Sequence, residues 1–356
     1  MGACPSKPGG KQEEASAPPP YRALAFGAEG GVTTCVCAAD GALYAGSDAG
    51  WVSHFTSPWR AAPSQPARSW SAHGSRAVTR LALGGGLLAS ASRDGTVALW
   101  RAEGGAAAAP PPAPLAVLRG HELTVSAVDL TRNGARVASG SRDCSLRVWD
   151  AGAGGREVCA PAHVQQNVVT CLKWRSEGDA AQHTILQGGE DLRVRLWDTR
   201  AGLLQAVGAL EGFTYFPLAL DCALDGHHVA TASKGFNGVG CEVRLWDLRR
   251  MGGGSSSSSS SSGSALLRTL AGHSQDATAV LFLSGNRVAS GSKDGSVRVW
   301  AREEGSSAPL VLPLPGASVT SLAACPQGLV AGCAEAHGLS IFTDAGLTCE
   351  QGGGLL

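Results

Sequence analysis

An Asp six residues ahead of a Trp, found four times over, constrains this chain more than any other feature. The pairs are Asp94 and Trp100, Asp143 and Trp149, Asp191 and Trp197, and Asp294 and Trp300. They lie in ASASRDGTVALW (89–100), ASGSRDCSLRVWD (138–150), LQGGEDLRVRLWD (186–198) and ASGSKDGSVRVW (289–300), which align almost letter for letter. Val97 and Leu99, like Leu146 and Val148, alternate ahead of the Trp, which is the period-2 pattern of a strand; an Asp-Gly step in two of the four marks a tight turn. A His stands upstream in each case: His73, Gly120-His121, His163 and Gly272-His273. A unit that returns at a fixed period implies a stacked repeat architecture.

The unit resembles the WD-repeat signature, which implies four strands per blade of a propeller. Residues 218–247 form a fifth unit that ends in RLWD and has Glu211-Gly212-Phe213 where the His would stand. Residues 32–55 and 319–342 keep the strand pattern and end in Phe55 and Phe342. The expected fold is therefore an all-β, seven-bladed WD-repeat β-propeller. Tyr21–Phe26, just before the first unit, is expected to supply the outermost strand of the last blade and close the ring, hiding its sheet edges. A flexible tail (1–20) would precede a propeller over 21–356, interrupted by low-complexity tracts at 104–114 and 252–264.

A Trp N–H, a Ser or Thr hydroxyl, an imidazole and a turn Asp can form one hydrogen-bonded chain within a blade, and buried polar groups require such pairing. His121, Asp143 and Trp149; His273, Asp294 and Trp300; Asp94 and Trp100; and Asp191 and Trp197 are accordingly read as structural, not catalytic. No nucleophile elbow, P-loop or zinc-protease motif accompanies them, and GFNGVG (235–240) precedes no helix. No enzyme, cofactor or metal is expected. The 29 basic and 29 acidic residues cancel, which argues against nucleic-acid binding. Eleven cysteines contain no CxxC pair and are read as small buried hydrophobes of a reducing compartment. Without a secretory core or an apolar run of about 18 residues, a cytoplasmic, monomeric propeller is expected.

Loops between strands a and b and between c and d belong to one face of a propeller (bottom). Loops from b to c and from blade to blade belong to the other (top). The Ala/Pro and Ser tracts and Arg175–His183 fall on the bottom, which leaves the top as the partner-binding face. Arg93, Arg142, Glu190 and Lys293 precede the turn Asp or occupy its flank there; three of the four are basic, which suits an acidic or phosphorylated segment of another protein. In the fifth unit a longer loop, Ser233–Cys241, replaces the short turn. Its Lys234, Phe236 and Asn237 are candidate partner contacts, with Phe236 as an aromatic anchor. The other reading is a loop that folds back over the missing His–Asp network.

At the N-terminus, Gly2 with Ser6 fits the N-myristoylation pattern and Cys4 is placed for palmitoylation, so a membrane tether is expected. Lys7 and Lys11 are offset by Glu13 and Glu14, so charge alone would not anchor the tail. QQNVVTCLKW…ILQGGEDLRVRLWDTR (165–200) and SKGFNGVGCEVRLWDLRR (233–250) resemble the family of WD repeat-containing protein 31. That resemblance implies a scaffold for ciliary trafficking and small-GTPase regulators, at or near the cilium or its base. The alternative is a substrate receptor of a cullin-type ubiquitin ligase: Trp197–Arg200 and Trp246–Arg249 fit the WDxR element, with Arg200 and Arg249 as the contacts.

Overall fold

The computed structural model describes residues 22–24, 31–39, 42–56, 65–102, 113–163, 167–175, 183–251, 265–303, 308–325, 328–334 and 338–343. Their 28 strands form seven four-stranded antiparallel sheets, the blades of a propeller. In blades 1 to 6 the strands pair in chain order from the axis outward. The inner strands are Thr33–Ala39, Val78–Gly84, Val125–Leu130, Val169–Trp174, Pro217–Cys222, Ala277–Leu283 and, in blade 7, Val319–Cys325. Blade 7 draws its outer strand from the other end of the chain. Arg22–Leu24 pairs antiparallel with Leu339–Phe342, Leu24 opposite Leu339, and closes the ring as expected. Leu24 is fully buried beside Val36, Leu43 and Ile341.

A blade has two apolar faces, and only its neighbours can cover them. The aromatic residue of each third strand performs that task, packing against the preceding blade. Trp100 joins Tyr44 and Val52 of blade 1. Trp149 joins Val97 and Leu99 of blade 2, and Trp197 joins Leu146 and Val148 of blade 3. Trp246 and Trp300 repeat the contact against blades 4 and 5. Phe55 does the same against blade 7, and Phe342 against blade 6. Phenylalanine suffices at those two positions because the packing requires a ring, not its N–H.

A second repeated bond crosses the same interfaces. The second residue of an inner strand donates its hydroxyl to the first carbonyl of the next blade's inner strand. Thr79 Oγ1 reaches Val125 O at 2.5 Å, Thr170 Oγ1 reaches Pro217 O at 2.6 Å, and Thr278 Oγ1 reaches Val319 O at 2.6 Å. Thr34 bonds Val78 and Ser126 bonds Val169 in the same way; Thr320 bonds Thr33 O at 3.1 Å and completes the circle. Only the seam between blades 5 and 6 lacks this bond, because Leu218 stands at the position. Eight cysteines of the described residues are free, and six of these eight are buried. No helix of the described residues is long and apolar enough to cross a membrane.

Thr79→Val keeps the shape of the side chain and strands the Val125 carbonyl. It is expected to cost about 1–2 kcal/mol in urea unfolding, whereas Thr34, Ser126 and Thr170 substitutions at other seams should behave alike.

Candidate functional site

The hydrogen-bonded chain closes in full in blades 2, 3 and 6. In blade 3, Trp149 Nε1 donates to Ser139 Oγ at 2.8 Å, and Ser139 Oγ lies 2.8 Å from His121 Nε2. His121 Nδ1 lies 3.1 Å from Asp143 Oδ2. Indole can only donate, so the serine hydroxyl donates onward to Nε2, and the imidazole proton sits on Nδ1 facing the carboxylate. His73, Ser90, Asp94 and Trp100 repeat the geometry, as do His273, Ser290, Asp294 and Trp300. Burial is the largest influence on His121 and lowers its pKa, outweighing the pull of Asp143. Burial works the other way on Asp143, but hydrogen bonds from Ser145 and the Glu122 N–H overcome it and hold the carboxyl at about 2. Asp94 is likewise held at about 2, its burial overcome by His73 and Thr96.

Blade 4 departs from the expected chain. Trp197 Nε1 donates to Gln187 Oε1 at 3.1 Å, and Asp191 forms an ion pair with Arg195 instead of meeting an imidazole. His163 lies in the outer strand of blade 3, opposite Ser145, and buried Asn167 accepts the Asp191 N–H. In blade 5, Trp246 Nε1 donates to Thr231 Oγ1 at 2.9 Å. Phe213 fills the place of the imidazole, buried with its ring centroid 5.3 Å from that of Trp246. Apolar packing thus replaces a polar network that the sequence no longer encodes.

The long loop of blade 5 therefore has no void to cover. It folds into a hairpin of its own. Phe236 and Val239 exchange backbone hydrogen bonds at 2.9 and 3.0 Å across Asn237 and Gly238, whose φ of 49° and 78° make the two-residue turn that suits a hairpin. Gly240 is required because a Cβ there would lie 2.2 Å from the Tyr215 ring. The hairpin leans on the connection to blade 6: Gly238 N–H donates to Ser274 O at 3.0 Å, and Gly235 N–H to Asp276 Oδ1 at 3.0 Å. Its backbone is held while its side chains point out. Phe236 is 69% exposed, Val239 57% and Tyr215 39%. Leu192, in the top turn of blade 4, is also exposed, at 38%. Leu192 holds φ 63° where blades 2 and 6 have Gly95 and Gly295, a conformation that costs a leucine about 1 kcal/mol.

Arg93, Arg142 and Glu190 are exposed in the top turns, as is Lys234. Lys293 is half-exposed there too, and its ammonium lies 2.8 Å from Asp276 Oδ2, so it is paired. Arg200 and Arg249 lie past the third strands of blades 4 and 5, each clasped by the Asp two residues earlier: Arg200 Nε is 2.9 Å from Asp198 Oδ2, and Arg249 Nη2 is 2.9 Å from Asp247 Oδ2. Both guanidinium groups remain more than half exposed. Gly2, Cys4 and the tract 252–264 lie outside the described residues, as do residues 104–112.

The inner strands enclose a central cavity of about 260 Å³. Its charged cluster is tied into the framework. Lys173 Nζ lies 3.5 Å from Asp221 Oδ1 and 3.9 Å from Asp129 Oδ1. The second oxygens of the two carboxylates accept the backbone N–H of Trp174 and of Phe282, each from the following blade. Burial raises the Asp129 pKa against the attraction of Lys173.

The WD domain, G-beta repeat family model matches residues 64–101, 112–150 and 264–301. These three segments are the ones that carry the complete His–Ser–Asp–Trp chains. The chain is similar to nuclear distribution protein PAC1 of Gibberella zeae, 30% identical over 126 residues, covering 33% of this chain and 24% of the relative. It is also similar to nuclear distribution protein PAC1 of Fusarium vanettenii, 28% identical over 152 residues, 39% of this chain and 29% of the relative. The chain therefore spans 24% and 29% of the length of these two relatives.

Asp143→Ala leaves the His121 chain without its acceptor and is expected to cost about 1–3 kcal/mol in thermal or urea unfolding. Acid should weaken the wild type in two steps. His121 is harder to protonate folded than unfolded, so stability begins to fall below its ordinary 6.5. Asp94 and Asp143 ionise more readily folded than their ordinary 3.8, so their share is complete above that pH and lost toward about 2. Unfolding curves of Asp143→Asn should show a smaller loss over the lower window.

Proposed function

We propose that this WD-repeat propeller is a non-enzymatic protein-interaction scaffold that seats a partner on its top face, with Phe236 as the central anchor. The observation that carries the reading is a large aromatic side chain, 69% exposed, on a hairpin whose backbone is hydrogen-bonded to the next blade. An anchor already ordered loses little conformational freedom on binding, and exposed aromatics are typical of interface hot spots. Lys234 adds positive charge beside that anchor, and Arg93 and Arg142 add it farther along the top, on blades 2 and 3, while Glu190, Asn237 and the paired Lys293 supply polar groups. The likeness of residues 165–200 and 233–250 to the WD repeat-containing protein 31 family supports a setting among ciliary trafficking and small-GTPase regulators. Acyl groups on Gly2 and Cys4 would hold the propeller at a membrane such as the ciliary base, two chains being needed for stable anchoring.

The exposed guanidinium groups of Arg200 and Arg249 favour a second reading, a ligase adaptor that docks through the bottom face. Proximity labelling in cells separates the two. Phe236→Ser should lose most of the labelled partners while melting at the wild-type temperature, and a charge reversal at both Arg200 and Arg249 should keep them. The opposite result selects the ligase reading. Membrane fractionation with acyl labelling tests the tether: wild type should sediment with membranes, and Gly2→Ala and Cys4→Ser should turn soluble. A wild type that is soluble and unlabelled refutes the anchor.

A further inference from the structure

Among the described residues, one charge beside the Phe236 hairpin lacks an ion pair of its own. Along the top of blades 4 to 6 four basic side chains have acids of their own: Arg193 with Glu211 at 3.2 Å, Arg195 with Asp191, Arg244 with Glu242 at 2.9 Å and Lys293 with Asp276 at 2.8 Å. Among the described residues, exposed Lys234 has no carboxylate within ion-pair distance. Its ammonium rests 4.9 Å above the ring of Phe216, while its backbone N–H donates to the Phe216 carbonyl at 3.0 Å. Asp276, the acid beside it, already accepts Lys293 on one oxygen and the Gly235 N–H on the other. The local balance of Lys234, Lys293 and Asp276 is therefore one positive charge.

That charge borders the apolar strip. Phe236 and Val239 face each other across the turn, and Tyr215 lies against Gly240 at the base of the hairpin. Arg193 and Glu211 tie the top turn of blade 4 to the connection that carries Tyr215. We propose that this edge of the top face binds a segment of a partner protein in which an aromatic or aliphatic side chain stands next to a carboxylate. The apolar side chain would pack on Phe236, Val239 and Tyr215, and the carboxylate would meet Lys234. A cation already resting on a ring, short of acceptors, gains a charge-assisted hydrogen bond without losing an existing ion pair. This inference rests on the top-face scaffold reading above and adds the chemistry of the partner.

The test uses the full-length protein and fluorescein-labelled 12-residue peptides with a central Phe-Leu pair flanked by Asp, by Asn or by Lys, followed by fluorescence polarisation. The Asp peptide should bind about fivefold more tightly than the Asn peptide, an increment in the range of one partly exposed ion pair, and the Lys peptide more weakly still. Lys234→Glu should reverse the order of the Asp and Lys peptides. Phe236→Ser should weaken all three, and neither variant should change the melting temperature. Equal binding of the three peptides with no effect of Lys234→Glu, but loss with Phe236→Ser, overturns the carboxylate requirement and leaves the scaffold reading standing. Binding unaffected by Phe236→Ser, or no binding of any peptide at millimolar concentration, overturns both.

Discussion

The structure depends on the seam between neighbouring blades. A four-stranded blade cannot bury its own faces, so the fold exists only when every seam is filled and the circle is complete. Two repeated devices fill them: a Trp or Phe from each third strand packed on the preceding blade, and an inner-strand hydroxyl bonded to the following one. The first supplies apolar burial and the second fixes the rotation of one blade against the next. Leu24, contributed from the far end of the chain, belongs to this set because it buries the last outer strand and so joins the ends of the sequence.

The seam between blades 5 and 6 shows how one substitution is answered elsewhere. Leu218 cannot bond across it, and the bonds that cross near the top come from the hairpin: Gly235 to Asp276 and Gly238 to Ser274. At the bottom, Asp221 accepts the Phe282 N–H. The same hairpin presents Phe236 to solvent. Framework and candidate interface are one element there, which explains how an exposed aromatic can be held in a single backbone conformation. Blades 2, 3 and 6, with complete polar chains, form the regular part of the frame. Blades 4 and 5, where Gln187 and Phe213 stand in for the usual groups, carry the departures that shape the surface.

Much of this was legible. The Asp–Trp spacing, the strand alternation and the count of units implied seven blades, and the Tyr21–Phe26 segment implied the closure. The site was read less completely. Lys293 was legible as a basic residue of the top rim, but not its pairing with Asp276, seventeen residues away in sequence. Asp191 was grouped with the three other turn aspartates, yet pairs with Arg195 because the upstream His belongs to a different strand environment. For the long loop, sequence left two readings open, and the decision lay with Phe213, whose ring fills the space the loop would otherwise have covered.

What the sequence determined by itself was everything local and repeated: strand periodicity, the position of tight turns, the residues able to form a polar chain and the places where the pattern fails. These follow from side-chain chemistry at fixed short spacings, which the chain order displays directly. Tertiary structure alone decided which carboxylate answers which cation, which seam lacks its hydroxyl bond and which side of the long loop faces water. Those outcomes depend on groups brought together from different blades, and charge balance and burial are properties of that meeting, not of any one segment. Lys234 is the plainest instance: an ordinary lysine in the chain, and an unanswered charge beside an exposed aromatic only once blades 5 and 6 are in place.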